Sequence, residues 1–314
     1  AKAKLAESLD KNRKSFATNF GMASLELELS QPTNALERLN QCILDCIDEV
    51  TTQQKDLSLL PEYISSTTTI FTAKYHHHHH HQQQQTDSKK DSDENEVEEE
   101  AKILTPEELQ KLVTQCANNC DSNQILQLAF TFLHRSDVWV SRDAQNNVTA
   151  QFVPLGIQDV KIASMLFKCE MERDTGLEVY SRGYVLSCLK SIHILNQNTN
   201  GEHSPEDLAT MTNFINSAKE VQPNSREVII VDCEIHNMDG KLDEALSIVQ
   251  KLKGITDARD AIPYVLEANM LAHKAMQPLR NEGSASAPSP EEQQRMMYEA
   301  QQMLAQACQL FDTA

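Results

Sequence analysis

Three times the chain writes the same helix start: Thr105-Pro106-Glu107-Glu108, Ser204-Pro205-Glu206-Asp207 and Ser289-Pro290-Glu291-Glu292. Each sets a hydroxyl at the cap, a proline at the first helical position, where no N–H is needed, and acids against the positive end of the helix dipole. One start signal used repeatedly predicts repeated helical units. Composition agrees, because eight glycines in 314 residues is about a third of the ~7% average usage. That is too few for the phosphate-cradling loops of an α/β enzyme or the turns of a β-sandwich, so the chain is expected to be all-α.

The unit is clearest from Arg226 to Asp257, REVIIVDCEIHNMDGKLDEALSIVQKLKGITD. It fits a tetratricopeptide hairpin of ~34 residues, two antiparallel helices that approach closely at small side chains. Cys233 stands where the first helix crosses its partner, Gly240 makes the turn, and Ala245 is the close contact of the second helix. Leu242, Leu246, Val249 and Leu252 form its apolar stripe. The preceding unit ends with Ala218 and Pro223 in the expected places. The following one has Ala268 on its first helix and Ala300 and Ala307 on its second, with QPLRNEGSASAPSPEE inserted in the turn. The expected fold class is therefore a tetratricopeptide superhelix, an α-solenoid. In that frame Val228–Val231 is expected to be helical despite its branched residues, and Asn147–Leu155 an irregular loop or insertion. Nearer the start, Ala35, Leu36, Leu39, Cys42, Ile43 and Cys46 share one helical face, with Thr33 or Asn34 as its N-cap.

From Tyr75 the sequence reads YHHHHHHQQQQTDSKKDSDENEVEEEAK, almost without apolar residues until Ile103. Such a stretch buries too little surface to offset the entropy of ordering, so a disordered, low-complexity linker over 75–104 is expected. It separates an N-terminal domain, 1–74, from a C-terminal one, 105–314. Residues 86–102 alone carry −5 of the formal charge of −18. The six histidines, His76–His81, have the form of a metal-chelating tag, but the polyglutamine behind them favours a homopolymeric tract without function.

The charge excludes further classes. With 28 basic against 46 acidic residues there is no field to hold a nucleic-acid backbone or an anionic membrane surface. No run reaches the ~18 apolar residues that span a bilayer. AKAKLAESLD is not a signal peptide, and a chain opening without Met is expected to lie within a longer polypeptide whose anchor would precede Ala1. Eight scattered cysteines in a chain of this length predict reduced thiols. Cys42/Cys46 and Cys116/Cys120 each repeat C-x3-C, one helical turn apart. Zinc knuckles favour the tighter C-x2-C, so these read as ordinary half-buried helix cysteines. No phosphate loop, H-E-x-x-H, G-x-S-x-G or EF-hand pattern occurs. No catalytic residue, cofactor or metal is expected, and Trp139 is assigned to a core or loop anchor.

Beyond the generic repeat, the chain resembles one family, the large tetratricopeptide import receptor of the mitochondrial outer-membrane translocase, the seventy-kilodalton Tom receptor. AKAKLAESLDKN is similar to the family's third repeat, and LLPEYISSTTTIF to the segment that leaves its N-terminal domain, where an acidic linker follows. NTNGEHSPEDLATMTNFINSAKEVQP, the Gly240-Lys-Leu-Asp-Glu-Ala turn and PYVLEANML then come in the family's C-terminal order. The resemblance implies a non-enzymatic receptor at the mitochondrial outer membrane, facing the cytosol and working with the other translocase subunits. In it, N-terminal repeats clamp the acidic tails of Hsp70 and Hsp90, and C-terminal repeats hold hydrophobic precursors. The resemblance implies that the basic clamp residues lie in repeats preceding Ala1.

In such a superhelix the first helix of each unit lines the concave wall. Glu227, Ile230, Glu234, Asn237 and Met238 are expected there, followed by Val265, Asn269, Ala272 and His273. A wall mixing apolar, acidic and methionine side chains suits an extended, amphipathic, basic client. The same residues also read as solvated helix faces. A different tetratricopeptide scaffold or co-chaperone is the alternative, explaining the solenoid but not the LLPEYISS segment.

Overall fold

In the computed structural model, the residues described are 15–53, 55–84, 103–140, 152–174, 177–198, 203–257, 260–280 and 290–313. Among them there are twelve helices and no strand. The chain is all-α, of the helical-repeat class, and divides into two compact units, Ala1–Gly201 and Glu202–Ala314.

The first unit contains α1 (Phe16–Glu28), α2 (Pro32–Thr51), α3 (Leu59–Gln84), α4 (Pro106–Asn119), α5 (Ser122–Trp139), α6 (Val153–Arg173) and α7 (Glu178–Asn198). Neighbours in sequence pack in pairs, α1 on α2, α5 on α6 and α6 on α7, while α2 also lies against α5 and α4 against α6. One large core runs from Ile43, Val50 and Tyr63 to Leu112, Phe132, Leu166 and Ile194. A second gathers Ala23, Ala35, Leu36, Phe71, Trp139 and Phe152. The second unit contains α8 (Pro205–Val221), α9 (Arg226–Met238), α10 (Leu242–Ile255), α11 (Ile262–Arg280) and α12 (Pro290–Thr313), each packed on the next.

The start signals work as written. Thr105 and Ser204 each close a capping box, their hydroxyls accepting from the N–H of Glu108 and Asp207, whose carboxylates reach back to the cap N–H. Ser289 lies outside the described residues, but α12 does begin at Pro290. Val228–Val231 is helical, inside α9.

Several expectations are corrected. Helix α2 starts at Pro32 with Gln31 as its cap, so Thr33 and Asn34 are helical; proline at the first position set the start where no capping side chain was required. Phe152–Leu155 forms the entry of α6, with Phe152, Val153 and Leu155 buried, the rest of the Asn147–Leu155 run lying outside the described residues. The first ten residues assigned to the linker, including His76–His81, continue α3 to Gln84. Once the packed turns from Leu59 to Phe71 exist, each further residue adds a hydrogen bond without a new nucleus. Residues 85–102 lie outside the described set. The domain boundary also moves to 201/202, because α2 and α3 share one core with α4–α7 and so do not form a separate N-terminal body.

Candidate client groove

Helix α9 has two faces. Val228, Ile229, Cys233 and Ile235 are buried, Cys233 lying 3.4 Å from the Ala245 carbonyl and 3.6 Å from the Met270 sulfur. Ala245 and Val249 complete that cluster. Ala268 and Ala307 are buried against Leu271 in the next one, and Ala300 is half-buried. Cys233, Ala245, Ala268 and Ala307 therefore sit in the clusters where helices meet. Gly240 makes the α9–α10 turn at φ +73°, a conformation glycine adopts without the Cβ penalty. Its N–H reaches the Asn237 carbonyl, and that of Lys241 the His236 carbonyl, closing the helix end.

The other face of α9 carries exposed Glu227 and half-buried Ile230, Glu234, Asn237 and Met238, at the spacing of a single stripe. On α11 the corresponding stripe is half-buried Val265 and Ala272 with exposed Asn269 and His273. The two stripes meet where His273 Nδ1 lies 3.1 Å from Asn237 Oδ1. That contact joins the two stripes across successive repeats.

Ion pairs tie α9 and α11 to their neighbours. Arg226 clasps Asp260 with Nε–Oδ2 at 2.7 Å and a second N–H···O bond at 3.0 Å. The guanidinium holds the Asp260 carboxyl below the ordinary range and is itself raised by the bond. Lys219 donates to both oxygens of buried Asp232, at 3.1 and 2.9 Å, tying α8 to α9. Glu267 accepts from Gln250 at 2.8 Å and from Lys253, whose ammonium stands 4.6 Å from the Tyr264 ring centre. Glu234 differs from these acids. Burial alone pushes its carboxyl above the ordinary 4.5, and no cation among the described residues pairs with it.

In the first unit, a buried polar network escaped sequence reasoning. Asp159 on α6 accepts from the Tyr63 hydroxyl at 2.6 Å, Trp139 Nε1 at 2.6 Å and Arg135 Nε at 2.7 Å. Arg135 also donates to Asn40 and Thr67 and lies among the rings of Tyr63, Phe132 and Trp139. Its six members, Asn40, Tyr63, Thr67, Arg135, Trp139 and Asp159, come from four helices, so no local spacing announces it. Every strong donor is paired, which makes it a structural knot and not a reactive centre. Of the paired cysteines, Cys46, Cys116 and Cys120 come together in the large core. No cluster of His, Cys, Asp or Glu among the described residues is placed to hold a metal.

No family model matches the sequence, and no curated protein matches it. Among solved structures, the chain is similar to a monomeric mutant of IFIT1 determined with m7Gppp-AAAA, at 13% identity and a TM-score of 0.30. That match covers 95% of this chain, and the chain spans 61% of the length of the IFIT1 chain.

Proposed function

We propose that this chain is a non-enzymatic receptor that binds mitochondrial precursor proteins for import across the outer membrane, on the cytosolic side. The observation that carries the reading is Glu234, half-buried without a cation and set between Ile230 and Met238 in the α9–α11 wall. A carboxylate held this way gains most from an arriving basic side chain, while the flanking apolar atoms take the apolar face of the same client. The net charge of −18 steers basic, amphipathic segments towards such a wall. Translocase subunits and the tails of Hsp70 and Hsp90 are further partners that the family resemblance brings to the proposal. A hydrophobic metabolite-carrier precursor, offered to the immobilised full chain, is expected to be retained and to be lost from the Glu234→Lys, Met238→Asp double variant. Equal retention by both proteins would exclude the wall.

One observation favours a second reading, a different tetratricopeptide scaffold or co-chaperone. Tyr63, within the LLPEYISS segment that resembles a domain exit, is bonded to Asp159 inside the core of the first unit. A scaffold would retain unrelated folded proteins and show no preference for the carrier precursor.

A further inference from the structure

Helix α12 is held to the second unit through one face, where Ala307 is buried and Met303 and Leu310 pack beside it with Leu246 and Leu271. A second stripe runs along another side of the same helix. Gln294, Met297, Gln301, Leu304 and Cys308 recur at steps of three and four residues, the spacing of a single helical face, and all five are exposed. Met297 is 55% exposed and Leu304 42%, while Tyr298, next to Met297, reaches 62%, the highest of any large hydrophobic residue among those described. The charges between Gln294 and Cys308 stand on a third side, where Arg295 and Glu299 pair with each other at 2.9 Å. The stripe is therefore uncharged, in a chain whose formal charge is −18.

We propose that this stripe is the meeting face of two copies of the chain, whose α12 helices pair antiparallel about a two-fold axis at Gln301. The side chains are disposed symmetrically about that position. Tyr298 and Leu304 stand three residues to either side of it, Met297 and Ala305 four, and Gln294 and Cys308 seven. A two-fold contact requires such self-complementarity, because whenever one residue meets a second across the axis, the second meets the first on the other side. Antiparallel pairing sets Tyr298 against Leu304 of the second copy and Met297 against Ala305, each contact occurring twice. The Gln301 amide, on the axis, both donates and accepts. It bonds to its own counterpart and fixes the register, as a buried polar residue does in a coiled coil. Charge points to the same occupant. Two chains of −18 repel each other, and an uncharged face lets them approach without setting acid against acid. A basic partner would find no carboxylate on it.

Sedimentation equilibrium of the full chain over a dilution series is expected to show a doubled mass that falls to that of one chain on dilution. Leu304→Asp and Tyr298→Lys, both at exposed positions, are each expected to leave a monomer with an unchanged circular dichroism spectrum. Mixing the two variants is expected to restore the doubled mass, since the new carboxylate of one copy then faces the new ammonium of the other. Gln294→Cys tests the orientation without touching the apolar contacts. It stands opposite Cys308 of the second copy, whereas the two Cys308 residues lie about 21 Å apart along the helices, beyond the reach of a disulfide. After mild oxidation this variant is expected to run as a covalent dimer until dithiothreitol is added, and the parent chain as a single chain. A parent that is monomeric at every concentration, a dimer indifferent to both Leu304→Asp and Tyr298→Lys, or a cross-link between the two Cys308 residues of the parent would overturn the proposal.

Discussion

Arg135 and Asp159 form an ion pair from which water is excluded, with Nε–Oδ2 at 2.7 Å, a second bond at 3.0 Å and both side chains at 0% exposure. Two charges in the interior are tolerated only when each finds enough partners to replace its hydration. Asp159 has Tyr63 and Trp139 in addition, and Arg135 has Asn40, Thr67 and three aromatic faces. Burial beside Asp159 pushes the Tyr63 hydroxyl far above its ordinary range, so it stays a donor at any working pH. Removing one partner strands the other. Arg135→Met is expected to destabilise the first unit by about 3–5 kcal/mol, and the double variant Arg135→Met, Asp159→Leu by clearly less. Urea denaturation followed at Trp139 fluorescence measures both.

The same network decides how the chain can be cut. Residues 105–314 look like a domain when the low-complexity tract is taken as a boundary. Yet Tyr63, Asn40 and Thr67 belong to the core of α4–α7. A fragment covering 105–201 is expected to show no sharp urea transition, having exposed the face of α5 that α2 covers. A fragment covering 202–314 is expected to keep cooperative unfolding, since its clusters are its own. Circular dichroism against urea on the two fragments tests this, and a sharp transition in the first would restore the earlier boundary.

Local signals were legible and distant ones were not. Capping boxes, the Gly240 turn and the small residues Cys233, Ala245 and Ala268 are written within a few positions of where they act. Sequence spacing therefore located them. The α9–α11 wall is partly legible in the same way, because a 34-residue repeat puts Arg226 and Asp260 in register. Asp159 and Tyr63, by contrast, are 96 residues apart, and their meeting depends on how α2 and α3 pack. The composition of the histidine run likewise argues for a linker only if the helix before it is ignored. A docked helix propagates through residues that would never start one.

Two glycines separate space from backbone conformation. A Cβ at Gly183 would fall within the ring of Phe167, which is wholly buried. Gly183→Ala therefore forces the α6–α7 contact apart, and about 1–3 kcal/mol is expected from overpacking. At Gly240 a Cβ meets nothing within 4 Å, and the constraint is φ +73° alone. Gly240→Ala is expected to cost about 1 kcal/mol, and Gly240→Asn distinctly less, because asparagine tolerates the left-handed region. Equal costs for alanine and asparagine at position 240 would contradict the conformational origin.

Glu234 gives the prediction that separates a working wall from a merely solvated helix face. Its folded pKa lies above the unfolded value near 4.5 because burial penalises the charge. Between those two values the folded state binds more protons than the unfolded one. Stability contributed at this site is therefore greatest below about pH 4 and declines as pH rises through the folded pKa. Glu234→Gln removes the charge, so it is expected to raise the melting temperature of the second unit at pH 7 and to leave it unchanged at pH 3.5. If the carboxylate is kept to meet a basic client, the same variant must bind that client more weakly at pH 7, stabilising the protein while impairing its use. A solvated surface glutamate would show neither effect. Thermal unfolding at the two pH values, with titration of a basic amphipathic peptide at pH 7, reads both halves, and stabilisation without loss of binding would detach Glu234 from the client.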